Sequence, residues 1–454
     1  MIARRSILFV TTLASFLTPF MGSAINIALP AMGKDLDMDT IALGWVTTSY
    51  LLSAAVFLLP FGRLSDKFGR KMIFMTGIVF FAITAFASAL AGSELLLIIS
   101  RFMNGAGGAM IYATAIAILT SSFPREERGK VLGINVASVY LGLSLGPTIG
   151  GLMTSLWGWR SIFALIGLLA TIITPIAAIK LENDRKSSVS GKFDFSGSII
   201  YGISLALIIF GFPKMPGLPG IAFILSGLAG LWLFTEIEKK AADPLLQIST
   251  FKGNQVFIFS NLAAFINYSA TFALVFLLSF YLQQIKGLSP EKTGVILMAQ
   301  PVMMTLLSPL AGKLSDRVEP YVLASSGMGL TVIGLGAFSL LGPGSSITYI
   351  ILLQLLLGLG FALFSSPNTN AVMSSVNPSY YGIASAALGT MRLTGQTVSM
   401  GISLMMFALI MGNKGTGLEN TEGLMTSIRY AFVVFAILCI PGTFFSMKRG
   451  KIRE

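Results

Sequence analysis

Fourteen apolar runs, each long enough to cross a lipid bilayer, leave this chain almost no freedom of fold. A membrane helix needs roughly 20 mostly apolar residues. Runs of that kind occupy approximately 6–30, 41–61, 72–92, 95–119, 130–155, 160–180, 195–213, 218–236, 253–284, 291–311, 321–341, 347–370, 380–411 and 425–446. The weakest are the seventh and eighth, separated by the short KMPGLPG turn. In hydrocarbon every backbone N–H and C=O must be satisfied inside the protein, and runs of this length do so as helices. Composition agrees, with 54% hydrophobic and 11% charged residues where a soluble domain carries about 25% charged. The expected class is an all-α integral membrane protein.

Arg4 and Arg5 precede the first run as they would in a secretory leader. A leader's apolar core is about 7–15 residues, whereas this one continues to Pro30 and is followed by further spans. It is therefore expected to be a retained first span. The net charge of +12 could point to nucleic acid, but its distribution points to topology. With the amino terminus placed inside, 22 of the 31 lysines and arginines fall in inner segments, 7 in outer ones, and Arg101 and Arg392 within spans. Cytoplasmic loops collect Lys and Arg. The expectation is a multi-pass plasma-membrane protein with both termini cytoplasmic and no nucleic-acid partner. The lone Cys439 cannot form an internal disulfide and reads as a small packed hydrophobe, and the chain has no histidine. No metal or cofactor pattern is read.

An internal repeat divides the chain. GRLSDKFG at 62–69 recurs as GKLSDRVE at 312–319, an offset of 250. Further on the offset is 253, pairing Gly105 with Gly358, Gly107 with Gly360, Ser121 with Ser374 and Gly142 with Gly395. Spans 2–5 thus correspond to spans 10–13. The expected organisation is a six-helix half at 1–190, an inserted two-helix hairpin at 191–245 and a second six-helix half at 246–454.

Three constellations carry mechanism. The tight inner loop Gly62–Lys71, with Asp66, Gly69, Arg70 and Lys71, lets two helices meet closely and offers charges to neighbouring helix ends; Asp316 and Arg317 occupy the repeated loop. On the fourth span Arg101, Asn104, Gly105, Gly108 and Tyr112 share one face, and an intramembrane Arg belongs against protein or water. On the fifth, Gly142, Gly146 and Gly150 form a stripe of bare backbone around Pro147, which removes one helix hydrogen bond. These are read as gating and conformational residues.

GRLSDKFGRK resembles the signature loop of the major facilitator superfamily. RFMNGAGGAM at 101–110 resembles its helix-4 motif, GLSLGPTIGG at 142–151 the helix-5 motif of exporters that work by antiport, and INIALP at 25–30 the end of helix 1 in the fourteen-helix drug:proton antiporters. The resemblance spans the chain. It implies two six-helix halves that alternate access to a central site, plus an extra hairpin, and coupling to protons. That branch carries an Asp five residues before the Asn of the helix-1 motif; Met21 stands there. All 19 acidic residues fall in predicted loops or at span edges, so the expected proton carrier is unidentified.

The deep charge is positive instead. Arg392 lies about 12 residues into the thirteenth span, roughly 18 Å deep. With it, Asn26, Tyr50, Arg101, Asn104, Tyr112, Asn135, Asn267, Tyr268, Gln300, Gln354, Asn368 and Gln396 are the candidate lining of a substrate cavity. The expected function is export of small amphipathic or lipophilic molecules by a monomer, as in multidrug efflux, with proton antiport implied by the resemblance. A facilitator or flippase of a neutral or anionic amphiphile without proton coupling stays open. A membrane-embedded enzyme lacks a nucleophile–base pair in this residue set, and paired halves suit alternating access better than a channel.

The topology has a direct test. In a Cys439→Ala background, single cysteines at Ser187, Gly217 and Ser345 are exposed to an impermeant thiol reagent on right-side-out cells. Only the first is expected to be shielded; labelling at position 187, or none at the other two, overturns the span count.

Overall fold

In a computed structural model, which describes residues 2–181, 193–241, 244–245, 253–315, 317–377, 381–412 and 420–450, the chain is a bundle of helices, with no strand among the described residues. They are α1 (Ile2–Leu36), α2 (Thr40–Phe68), α3 (Arg70–Ala89), α4 (Glu94–Ser122), α5 (Arg125–Trp157), α6 (Arg160–Lys180), α7 (Phe195–Gly211), α8 (Leu218–Lys240), α9 (Gln255–Thr271), α10 (Leu274–Phe280), α11 (Pro290–Leu297), α12 (Ala299–Ser315), α13 (Pro320–Phe338), α14 (Ile347–Ser374), α15 (Tyr381–Met411) and α16 (Thr421–Lys448). They form 14 apolar spans, the expected number, including the hairpin α7–α8. An even number puts both chain ends on one face, called here the terminal face and opposed to the distal face.

Two spans are broken where continuous helices were expected. In the ninth, α9 gives way to α10 near Ala273, whose N–H donates to Ser399 Oγ on α15 at 3.1 Å, and a π turn at Tyr281–Ile285 completes the span. In the tenth, α11 stops at Leu297. Pro301, four residues on, has no N–H to give the Leu297 carbonyl. Helix starts follow local chemistry: Asp39 caps α2 by accepting from the Ala42 N–H at 2.7 Å, and Asn254 caps α9 by accepting from Phe257 at 2.9 Å.

The repeat is repeated in three dimensions, at the offsets read from sequence. A methyl group on Gly105 would press into the Tyr50 backbone, and one on Gly358 would lie 2.7 Å from the Gln300 carbonyl. Gly107 meets the Phe81 nitrogen at 2.9 Å in the same sense, and Gly360 meets the Gly327 carbonyl at 2.8 Å. A methyl group on Gly142 would lie 2.7 Å from the Phe16 carbonyl of α1, and one on Gly395 2.6 Å from the Phe265 carbonyl of α9. Close backbone approach through small residues is how helices associate in lipid, where apolar side chains gain little by meeting each other. Each six-helix half is built on the same set of such contacts.

The hairpin lies against both halves. Trp45 of α2 stacks on Phe210 at 4.7 Å, and the Tyr201 hydroxyl donates to the Ala55 carbonyl at 3.3 Å. Phe212, just past α7, fills the space over Gly401 of α15. The far side of α8 exposes Leu225, Leu228 and Trp232, as a lipid-facing helix would. The domain boundary expected at 190/191 lies outside the described residues, and that at 245/246 adjoins 246–252, also outside them.

The halves meet at the distal side. Gln283 Nε2 donates to the Ile27 carbonyl at 2.9 Å, and Thr148 Oγ1 lies 3.1 Å from the Met298 sulfur. Thr40 Oγ1 lies 3.8 Å from the Met411 sulfur. Gly151 packs on the backbone of Pro290 and Gly294 on the carbonyl of Pro147. Pro147 and Gly151 therefore belong to the seam between halves, while Gly142, Gly146 and Gly150 face α1.

Gly146 is the tightest point of that stripe, with Ser23 and the Phe20 carbonyl occupying the space a side chain would need. Gly146→Leu is expected to cost about 1–3 kcal/mol by overpacking and to slow transport. Detergent melting curves and initial transport rates check this; parental values for both remove α5 from the list of hinges.

Candidate functional site

The loop between α2 and α3 turns on Gly69. Its φ of +101° is open to glycine and strained for other residues. The turn sets Asp66 and Arg70 at 3.6 Å, and Arg70 Nη1 donates to the Ala117 carbonyl of α4 at 3.1 Å. Ser65 Oγ donates to the Gly62 carbonyl and Ser315 Oγ to the Gly312 carbonyl, both at 2.7 Å, so the two repeated loops share a local design. Asn370 Nδ2 adds a bond to Ser315 Oγ at 2.9 Å. The Arg70 bonds described here stay within the first half. Lys71 is half-buried, Arg317 is exposed, and Asp316 lies outside the described residues.

Arg101 is walled in rather than lining a cavity. It is 1% exposed. Its Nε donates to the Val46 carbonyl at 3.1 Å and its Nη1 to Asn104 Oδ1 at 3.1 Å, with the Met21 sulfur 3.7 Å away. The ring of Tyr50 lies 4.5 Å from its guanidinium carbon. The thioether that stands at the position of the expected helix-1 Asp therefore touches the buried arginine directly. Burial without a carboxylate is tolerable because carbonyl, amide and aromatic faces surround the charge. The repeat places Gln354 at the same station, its Nε2 donating to the Ile296 carbonyl at 3.1 Å; an amide there needs no counter-charge.

Most of the other deep polar groups join helices. Asn26 accepts from Thr47 at 3.0 Å, Asn135 donates to Ser15 at 2.9 Å, and Asn104 donates to the Phe81 carbonyl and Thr84. Asn368 donates to the Ser260 carbonyl and accepts from Arg449 at 2.9 Å. These four, Arg101 and Gln354 make the frame, not the open surface the sequence suggested. Gln300 and Gln396 are buried, and Asn267 is buried with neither side-chain polar atom partnered among the described residues.

A different set converges at the centre. Arg392, half-buried on α15, lies with its guanidinium carbon 5.2 Å from the Tyr268 ring of α9, and Tyr112 of α4 and Tyr140 of α5 are in its neighbourhood. The Tyr140 hydroxyl is 3.1 Å from Ser365 Oγ of α14, a bond between the halves. Tyr50, next to Tyr112, keeps a buried hydroxyl without a described partner. No ion pair or hydrogen-bond acceptor is described for Arg392 among the described residues. The ion pairs described lie at helix ends: Asp66–Arg70, Asp35–Arg160 and Glu236–Lys239.

Sequence reasoning named Arg392, Tyr268 and Tyr112 but missed Tyr140, Ser365 and Arg449. Tyr140 had a signal. With Ser144, Thr148 and Gly151 it sits at helical spacing on the face of α5 turned away from the glycine stripe, and these residues meet Ser365, Thr305, Met298 and Pro290 of the other half. Arg449 was counted as a cytoplasmic loop charge. It is 1% exposed and ties α16 to Ser260 and Asn368, and burial pushes its pKa down to about 10, which leaves it charged at neutral pH.

The family model described as Major Facilitator Superfamily matches residues 11–400. The chain is 28% identical to the riboflavin transporter RibZ of Clostridioides difficile (strain 630), over 98% of each chain. It is 26% identical to the multidrug resistance protein Stp of Mycobacterium tuberculosis, over 87% of this chain and 74% of that one. Its fold is similar to the inward-facing, unoccupied crystal structure of a bacterial homologue of the human lysosomal transporter Spinster, with a TM-score of 0.71 at 16% identity over 98% of this chain and 97% of that one.

The two arginines should separate in a stability experiment. Arg101→Ala leaves Asn104 Oδ1 without its donor in a dry interior, at about 1–3 kcal/mol, and empties the space the buried side chain fills beside Tyr50, so a marked fall in melting temperature is expected. Arg392→Gln removes no described hydrogen bond and is expected to melt near the parental value. Equal losses would contradict the assignment of frame and site.

Proposed function

The chain belongs to the major facilitator superfamily, and from that premise we propose that it exports small amphipathic molecules from the cytoplasm by alternating access, preferring neutral and anionic compounds to permanent cations. One observation carries the preference. The central charged side chain without a described ion-pair or hydrogen-bond partner is the guanidinium of Arg392, set among three tyrosines. A cation gains most from a desolvated carboxylate, since charge pairs strengthen as the effective dielectric falls. This centre offers the opposite sign. An Arg in mid-membrane costs roughly 2.5–3.5 kcal/mol on insertion scales and ordinarily finds a partner; here the partner is water or the substrate.

The tyrosines add flat apolar faces with polar tips, suited to planar aromatic substrates. The likeness to a riboflavin transporter along its whole length supports a flat, neutral heteroaromatic ligand, and the likeness to a multidrug resistance protein supports export of drug-like amphiphiles. The bias of Lys and Arg supports placing the terminal face in the cytoplasm of the plasma membrane. With the distal side closed, the exposed part of Arg392 then opens inward. The hairpin is read as a peripheral insertion between the halves, and the chain as a monomer. The proton antiport implied by the resemblance would have to run through a carboxylate at a helix end, such as Asp66.

Export from inverted vesicles is measured for riboflavin, an anionic dye and a quaternary ammonium dye. Arg392→Gln is expected to slow the anion about tenfold or more and riboflavin much less. Vigorous transport of the quaternary ammonium compound, with Arg392→Gln blind to substrate charge, restores the cationic-drug reading.

A further inference from the structure

We infer that Arg392 is the moving charge of the transport cycle, so that export of an anion is driven by the inside-negative membrane potential through the return of the empty carrier. This rests on the reading of Arg392 as the partner of the substrate. The guanidinium belongs to α15 in the second half, yet Tyr112 and Tyr140 near it belong to α4 and α5 in the first, and Gly389, one turn earlier on α15, faces Leu58 of α2. It therefore stands at the interface that opens and closes. The Tyr140–Ser365 bond, 3.1 Å long, spans the same interface, and the contacts Gln283–Ile27 and Thr148–Met298 seal its distal side. Rocking the halves exchanges the solution that reaches Arg392. Arg101 does not take part in that exchange, because it is sealed inside the first half at 1% exposure.

The charge count follows from this geometry. A group in contact with one solution sits near that solution's potential. Empty, the site carries one positive charge; loaded with a monoanion, it carries none. The loaded carrier then turns outward without crossing the field, and the empty carrier returns inward with its positive charge, down the inside-negative potential. One negative charge has left the cell and no proton is needed to balance the cycle. A full crossing of one elementary charge is worth about a 50-fold concentration ratio per 100 mV. For a neutral substrate the charge goes out loaded and comes back empty, so potential changes rates but not the final ratio.

The test uses the full chain in proteoliposomes at equal pH on both sides, with a potassium diffusion potential set by valinomycin. The probes are 2-naphthalenesulfonate, charged at every pH used, and riboflavin. The sulfonate is expected to accumulate tens of fold at 100 mV and riboflavin to reach equal concentrations. On planar bilayers the unloaded protein is expected to show a transient charge movement after a voltage step. Saturating sulfonate suppresses it, Arg392→Lys keeps it and Arg392→Gln lacks it. Sulfonate transport that ignores potential and follows an imposed pH gradient overturns this inference and leaves the substrate reading standing. So does an unloaded transient that persists in Arg392→Gln. If wild-type protein moves no sulfonate at all, the substrate reading fails and takes this inference with it.

Discussion

Lipid gives helices little hydrophobic reason to associate, so this bundle depends on backbones brought close enough to touch. Glycines supply that approach wherever two helices cross within a half. Gly105 and Gly107 seat α4 on α2 and α3; Gly358 and Gly360 do the same for α14 on α12 and α13. Gly142, Gly146 and Gly150 lay α5 along α1. The close approach sets how tightly these helices pack within a half. The seam between halves adds longer side chains and thioethers to its two close glycine contacts, Gly151 on Pro290 and Gly294 on Pro147: Gln283 meets Ile27, Thr148 meets Met298 and Thr40 meets Met411.

The two mid-membrane arginines show what that distinction does to a charge. Arg101 sits where helices are fused, and four groups on four helices enclose it: Met21, Val46, Asn104 and the more distant ring of Phe163. Met21 at this station is a thioether that has no proton to exchange, and it lies 3.7 Å from the guanidinium. Arg392 sits where the halves part, and its described neighbours are aromatic faces rather than acceptors. A donor-rich group without described acceptors has the chemistry to receive an anion or a dipole. The same residue type thus serves as frame in one place and as a candidate ligand contact in the other.

Arg449 makes a third variation. At the terminal end of α16 it donates to Ser260 and Asn368 and so ties α9, α14 and α16 together on the second half's inner end. Its pKa, lowered by burial to about 10, still leaves a full charge at neutral pH. A positive charge counted as topological in the sequence is, in three dimensions, a structural clamp.

Span number, helical class and the 250- and 253-residue offsets of the repeat could be read from the chain alone. They depend on local run length and on self-similarity, both of which survive in one dimension. The chemistry of the centre was legible only in its ingredients. Arg392, Tyr268 and Tyr112 were visible as deep polar groups, but so were Asn26, Asn104, Asn135 and Asn368, which turned out to be bonded into the frame. Nothing local separates the two sets. Whether a buried polar group is spent on a neighbour or left for a ligand is decided by partners such as Val46, 55 residues from Arg101, or Ser365, 225 residues from Tyr140. The sequence determined that charge would lie inside the membrane; only the packing of the two halves decided which charge is enclosed by acceptors and which one has none among the described residues.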